Sequence, residues 1–163
     1  MSYPFRGRPR EWPLSCYAVI AHWLIKKYGA KIVLTAGSDE IWKSRDLVRL
    51  LNGQAWDLGG KLSWPATISL VKQMDLVLSG NTGVMHVAAA LKKDQVALHG
   101  PTDPRLWGPL NPRAKILQSS CPRCPCLRLG FEYHTFDQSC MAKIDVEEVK
   151  TAIARLIDNP GEI

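Results

Sequence analysis

Residues 75–104, DLVLSGNTGVMHVAAALKKDQVALHGPTDP, decide how this chain is read. The apolar run Leu76, Val77 and Leu78 breaks at Ser79-Gly80-Asn81-Thr82-Gly83, a turn of small residues. An alanine-rich helical run opens at once near Val84. A strand that feeds a helix N-terminus aims unpaired backbone N–H groups and the positive end of the helix dipole at one point, which suits a phosphate or another anion. A second strand, Gln95 to Leu98, ends in the rigid turn His99-Gly100-Pro101-Thr102-Asp103-Pro104. Two such turns from neighbouring strands would face one crevice.

Working outward, the spacing predicts a helix with one apolar stripe (Tyr17, Ile20, Ala21, Leu24, Ile25, Tyr28) that ends at Gly29. The β-branched run Lys31 to Thr35 predicts a strand that stops at Ala36-Gly37-Ser38-Asp39. Ser38 or Asp39 can cap a helix from Glu40 to Leu51, closed by Asn52-Gly53. A weak strand at Ala55 to Leu58 follows. Ser63 then caps a helix from Trp64 to Gln73, with Pro65 in its first turn, where a missing N–H does no harm. A last strand, Lys115 to Gln118, and a final helix capped by Asp145, with the stripe Val146, Val149, Ile153, Leu156 and Ile157, complete the alternation.

Strand and helix alternate with short connections, which predicts an α/β, Rossmann-like fold: a mostly parallel sheet with helices on both faces. In such sheets ligands bind beyond the carboxyl ends of the strands. The 163 residues predict a single domain, able to bury about 70% of the surface its unfolded chain exposes. No apolar run approaches the ~20 residues that a bilayer crossing needs, and the start MSYPFRGRPR is too polar for a signal peptide. The expected location is the cytoplasm, with peripheral attachment to the inner membrane left open. The net charge of +6 favours polyanions without choosing between nucleic acid, nucleotide diphosphates and an anionic membrane surface.

Within the candidate site, Gly80 and Gly83 allow close approach of backbone to a ligand. Thr82 can cap the helix and offer its hydroxyl, and His86 falls in the first helical turn. Glu40 lies past the end of the preceding strand, where a carboxylate can hold a ribose hydroxyl pair or simply favour a helix dipole. No GxGxxG, Walker phosphate loop, GxSxG or HExxH occurs, which sets aside the common dehydrogenase, NTPase, serine-hydrolase and zinc-protease signatures. Cysteines 121, 124, 126 and 140 follow C-x2-C-x-C-x13-C in a cysteine-rich loop over 119–141, with His134 inside. Four thiolates, or three with His134, could hold a structural zinc; reduced or partly disulfide-linked cysteines fit the pattern too.

The residues S-G-N-T-G-V-M-H-V-A-A-A-L (79–91), with H-G-P-T-D-P (99–104) after them and R-E-W-P (10–13) before, resemble the C-terminal half of the heptosyltransferases, glycosyltransferase family nine. The resemblance implies a GT-B glycosyltransferase: two Rossmann-like domains, of which this chain would be the second, lacking its first strand. It implies inverting transfer from a nucleotide sugar, typically ADP-heptose, in lipopolysaccharide core or related glycan synthesis, with no cofactor required for transfer. It further implies that Thr82 and Gly83 donate to the diphosphate, Glu40 holds the ribose, Arg10 meets the phosphates, and Asn81 and His86 line the donor site. Gly100, Pro101, Thr102 and Asp103 would form the second turn of the cleft. Asn81 stands where the family usually carries aspartate, so it offers an amide in place of a charge.

On that reading the partners are a nucleotide diphosphate sugar and a separate N-terminal glycosyltransferase domain, and no catalytic base is assigned within this chain. In a 3-2-1-4-5-6 sheet the missing strand would be central, so Met1 to Gly7 would have to fill the gap or the open edges would pair, which predicts self-association. The contrasting reading is a non-catalytic basic interaction module, either nucleic-acid-binding or a zinc-stabilised partner-binding domain.

Overall fold

A computed structural model describes residues 11–127 and 140–159. Its contacts divide the chain into two compact units, Leu14–Gln73 and a second made of Met1–Pro13 with Met74–Ile163.

In the first unit, α1 (Leu14–Tyr28) closes on Gly29, whose φ of 63° lies in the left-handed region that favours glycine. It is followed by β1 (Ile32–Leu34), α2 (Ile41–Leu50), β2 (Ala55–Asp57) and α3 (Trp64–Gln73). The strands pair in parallel, Ile32 beside Ala55 and Leu34 beside Asp57. Ala18, Ala21, Leu47 and Leu51 form the core, with Tyr17, Ile32, Leu34 and Ala55 packed on it. The small alanines of α1 let α2 approach closely, and Leu51 is fully buried.

Ser38 and Asp39 do not cap α2 as expected. Residues Ser38–Glu40 form a 3-10 turn with Glu40 N–H donating to Gly37 O at 3.0 Å, and α2 starts only at Ile41, without a side-chain cap. The tight turn itself satisfies an amide that a cap would otherwise take. Ser63 does serve α3, accepting from Ala66 N–H at 3.4 Å.

The second unit carries β3 (Leu76–Gly80), α4 (Gly83–Ala90), β4 (Asp94–His99), α5 (Pro104–Trp107), β5 (Ala114–Gln118) and α6 (Val146–Asp158). Its sheet has the order β3-β4-β5, all parallel, with Val77 beside Gln95 and Leu98 beside Leu117. α6 packs on β4 and buries Val149, Ala152, Ile153 and Leu156. Full burial of a Val, Ile or Leu side chain contributes about 2 kcal/mol by leaving water. Asp145 caps α6 as expected, accepting from Glu147 N–H at 3.2 Å. Trp12 is buried, and its indole N–H donates to Ile144 O at 3.2 Å.

The mostly parallel strand arrangement expected from the sequence is present: among the described residues it comprises a parallel pair, β1-β2, and a parallel triplet, β3-β4-β5. Residues 1–10, including the Met1 to Gly7 stretch expected to fill the place of a first strand, lie outside the described residues.

Candidate functional site

β3 and β4 run side by side in parallel, with Gly80 beside Leu98, so both deliver their following turns at the same edge of the sheet. After β3 the chain needs only Asn81 and Thr82 to enter α4. Thr82 occupies the N-cap position in extended conformation, φ −138° and ψ 168°, and its side chain makes no capping bond. Sequence predicts a capping hydroxyl here. In the structure the first helical amide to find a partner is that of Met85, which donates to Thr82 O at 3.1 Å. The amides of Gly83 and Val84 precede any intrahelical acceptor. Thr82, Gly83 and His86 are exposed and Asn81 half-buried, whereas Met85, Ala88 and Ala89 anchor the opposite face of α4. Gly83 and His86, three apart, share the outer face.

The second turn is built differently. His99, Thr102 and Asp103 are buried, as are Gly100 and Pro101. Thr102 Oγ1 lies 3.2 Å from His99 Nδ1. Gly100 O accepts from Gln118 Nε2 at 2.6 Å. Pro101 O accepts from Cys126 and Leu127 N–H at 2.8 and 2.7 Å. The Asp103 carboxylate caps α5 by accepting from Arg105 N–H at 2.9 Å, and it also holds the Arg105 guanidinium at 2.7 Å. These four residues brace the edge beside the first turn, with their polar groups already engaged.

Burial pushes the His99 imidazole down to about 4; its bond at Thr102 opposes the shift, the charge of His86 adds to it, and Asp103 opposes it. At neutral pH the ring is therefore uncharged. His99 Nε2 has no hydrogen-bond partner among the described residues, and neither do Ser79 Oγ, the Gln95 amide or Gln118 Oε1. Gln95 and His99 alternate along β4, Ser79 sits beside Ala97, and Gln118 sits beside His99, so all four belong to one face of the sheet. The sequence signal for this polar stripe is faint: Gln95 and His99, four apart on one face of β4 with Ala97 between them.

Glu40 belongs to the other compact unit. It ends the 3-10 turn after β1, and its Oε1 accepts from Lys43 Nζ at 2.6 Å. Arg10 and His134 lie outside the described residues. Of the four cysteines proposed as ligands, only three converge: the sulfurs of Cys121, Cys124 and Cys140 lie within 4.8 Å of one another. Cys124 and Cys140 are joined as a disulfide. Cys126 is exposed and is not one of the three, and its amide donates to Pro101 O.

Parallel strands with interleaved helices, opening at their carboxyl ends onto an uncapped helix N-terminus, define a Rossmann-like α/β protein. A family model described as glycosyltransferase family 9 (heptosyltransferase) matches residues 6–134. The chain belongs to that family. It is 31% identical over 116 residues to lipopolysaccharide heptosyltransferase 2 of Salmonella typhimurium (strain LT2), a match covering 69% of this chain and 33% of that protein. It thus spans about a third of the length of the curated relatives it matches, at 33% of the first. Among solved structures, E. coli ADP-heptose lps heptosyltransferase II superposes with a TM-score of 0.76 at 23% identity, over 98% of this chain and 46% of that one. E. coli heptosyltransferase WaaC with ADP gives 0.72 at 19% identity, over 94% and 42%. The α/β fold is that of one half of a GT-B heptosyltransferase.

Proposed function

We propose that this chain binds the nucleotide-sugar donor, an ADP-heptose or a close analogue, as the donor half of a heptosyltransferase-type glycosyltransferase in lipopolysaccharide core or related glycan synthesis. The observation that carries the reading is the entry to α4. Its first amides precede any intrahelical acceptor, Thr82 spends no hydroxyl on capping, and Thr82, Gly83 and His86 are exposed at the strand edge. A diphosphate seated there would accept from the Gly83 and Val84 N–H groups and from the Thr82 hydroxyl, with the helix dipole favouring its charge. The similar E. coli heptosyltransferase solved with ADP supports that choice of anion.

In this reading Glu40 holds the ribose hydroxyls, Arg10 meets the phosphates, and His86 and Asn81 border the sugar side of the diphosphate. Donors fixed in advance at this point would stabilise the negative charge that builds on the leaving nucleotide diphosphate as the glycosidic bond breaks. Asn81 donates or accepts hydrogen bonds but brings no charge to the sugar, so binding is expected to be stronger than any turnover by this chain alone.

Hydrogen exchange tests the placement directly. Saturating ADP is expected to slow exchange of the Gly83 and Val84 amides while leaving α6 unchanged. Uniform protection across the second unit, or none at the α4 entry in protein that does bind ADP, would move the site elsewhere.

A further inference from the structure

The cysteine trio has a construction of its own, distinct in its residues from the α4 entry. Cys121 and Cys124 bracket a tight turn in which Cys124 N–H donates to Cys121 O at 2.9 Å. Cys140 leads into the 3-10 turn Met141–Lys143 that precedes α6. Ser119 ties the two arms, accepting from Cys121 N–H at 3.2 Å and donating to Cys140 O at 2.6 Å. Cys121 and Cys140 are buried, and Cys124 is half-buried.

A disulfide between Cys124 and Cys140 uses two of these sulfurs and leaves the third, buried, beside them. The bonded pair's Cα atoms stand 7.4 Å apart, outside the range of about 4.4–6.8 Å that most disulfides span. A metal ion would employ all three.

We propose that in the reduced chain Cys121, Cys124 and Cys140 form a structural zinc site. A thiol reductant opens the Cys124–Cys140 bond by exchange, giving two protein thiols and the reductant's own disulfide. Binding then displaces a proton from each of the three thiols, and three thiolates surround the ion; a water, or a donor outside the trio, completes the tetrahedron. Soft thiolate ligands in tetrahedral array select zinc over the oxygen-seeking cations.

The site would fasten the second turn of the sheet edge. Cys126 and Leu127, just beyond Cys124, both donate to Pro101 O, while Gly100 packs against Met141, next to Cys140. One ion would therefore clamp the 100–103 turn and the start of α6 to each other. The proposal stands independently of which ligand the α4 entry binds.

The test uses the whole chain purified with a thiol reductant and without chelator, and reads elemental metal content beside intact mass under denaturing conditions. About one zinc per chain is expected. Cys121→Ser and Cys140→Ser should each lose it, while Cys126→Ser and Cys16→Ser keep it. Should the losing variants fail to fold, cobalt added to chelator-stripped wild type provides the second readout, and thiolate-to-cobalt charge-transfer absorption is expected. Less than about a tenth of an equivalent of zinc in folded, fully reduced wild type would overturn the site. So would a mass still short by two hydrogens under reductant, metal loss in Cys126→Ser equal to that in Cys121→Ser, or cobalt without a thiolate band.

Discussion

The Thr102 hydroxyl lies 3.2 Å from Nδ1 of His99, a polar contact on a ring that is otherwise fully buried at the end of β4. Burial dominates, so the folded ring titrates near 4 instead of its ordinary 6.5. The unfolded chain therefore binds this proton more tightly than the folded one. Stability from the neutral ring is fully present above about pH 6.5 and falls away as pH drops toward 4, by on the order of 3 kcal/mol. Thermal melts between pH 7 and pH 4.5 should show the wild-type Tm falling and His99→Asn falling less, in a window above the ordinary carboxylate range. Parallel slopes for the two proteins would contradict the assignment.

Asp103 serves α5 in two ways, and the two are separable. Its carboxylate is nearly buried and caps the helix, whereas the Arg105 guanidinium that pairs with it is 84% exposed. Removing the cap in Asp103→Ala is expected to cost about 1 kcal/mol in denaturant melts. Arg105→Ala should leave the midpoint unchanged, because an ion pair open to solvent on one side contributes little. Equal losses in the two variants would show that the pair, not the cap, holds the turn.

Gly100 has a packing reason to be glycine. A Cβ there would stand 2.5 Å from Met141 Sδ and 2.8 Å from its Cγ, and Met141 is buried. Gly100→Ala is expected to destabilise by about 1–3 kcal/mol. Combined with Met141→Ala, which opens room at that point, the substitution should cost much less than on its own. A double variant whose losses simply add would place the strain elsewhere.

Much of this arrangement is legible in the sequence, for identifiable reasons. α3 begins and ends where Ser63, Pro65 and the apolar spacing put it, and β3 feeds α4 through the expected small-residue turn. α5 escapes because four residues are too few for periodicity, although Asp103 followed by Pro104 is a readable helix start. The pairing of particular strands escapes because strand patterns report burial, not which strand lies alongside. At the candidate site the residue types around Thr82 are legible, but their bonding is not. Nothing in the string GPTDP tells that all four residues from Gly100 to Asp103 are engaged in holding the turn, or that the Thr82 hydroxyl is not.

That last difference gives the central claim its sharpest test. Thr82→Val removes a hydroxyl that caps nothing and keeps the branched shape, so stability should stay within about 0.5 kcal/mol. Calorimetric titration of wild type and Thr82→Val with ADP is the measurement. The account predicts saturable binding to wild type and an affinity about tenfold lower in the variant, the scale of one hydrogen bond to a charged group. Folded wild type that gives no heat with ADP but binds an RNA oligomer in a salt-dependent way, or equal ADP affinity in both proteins, would contradict it.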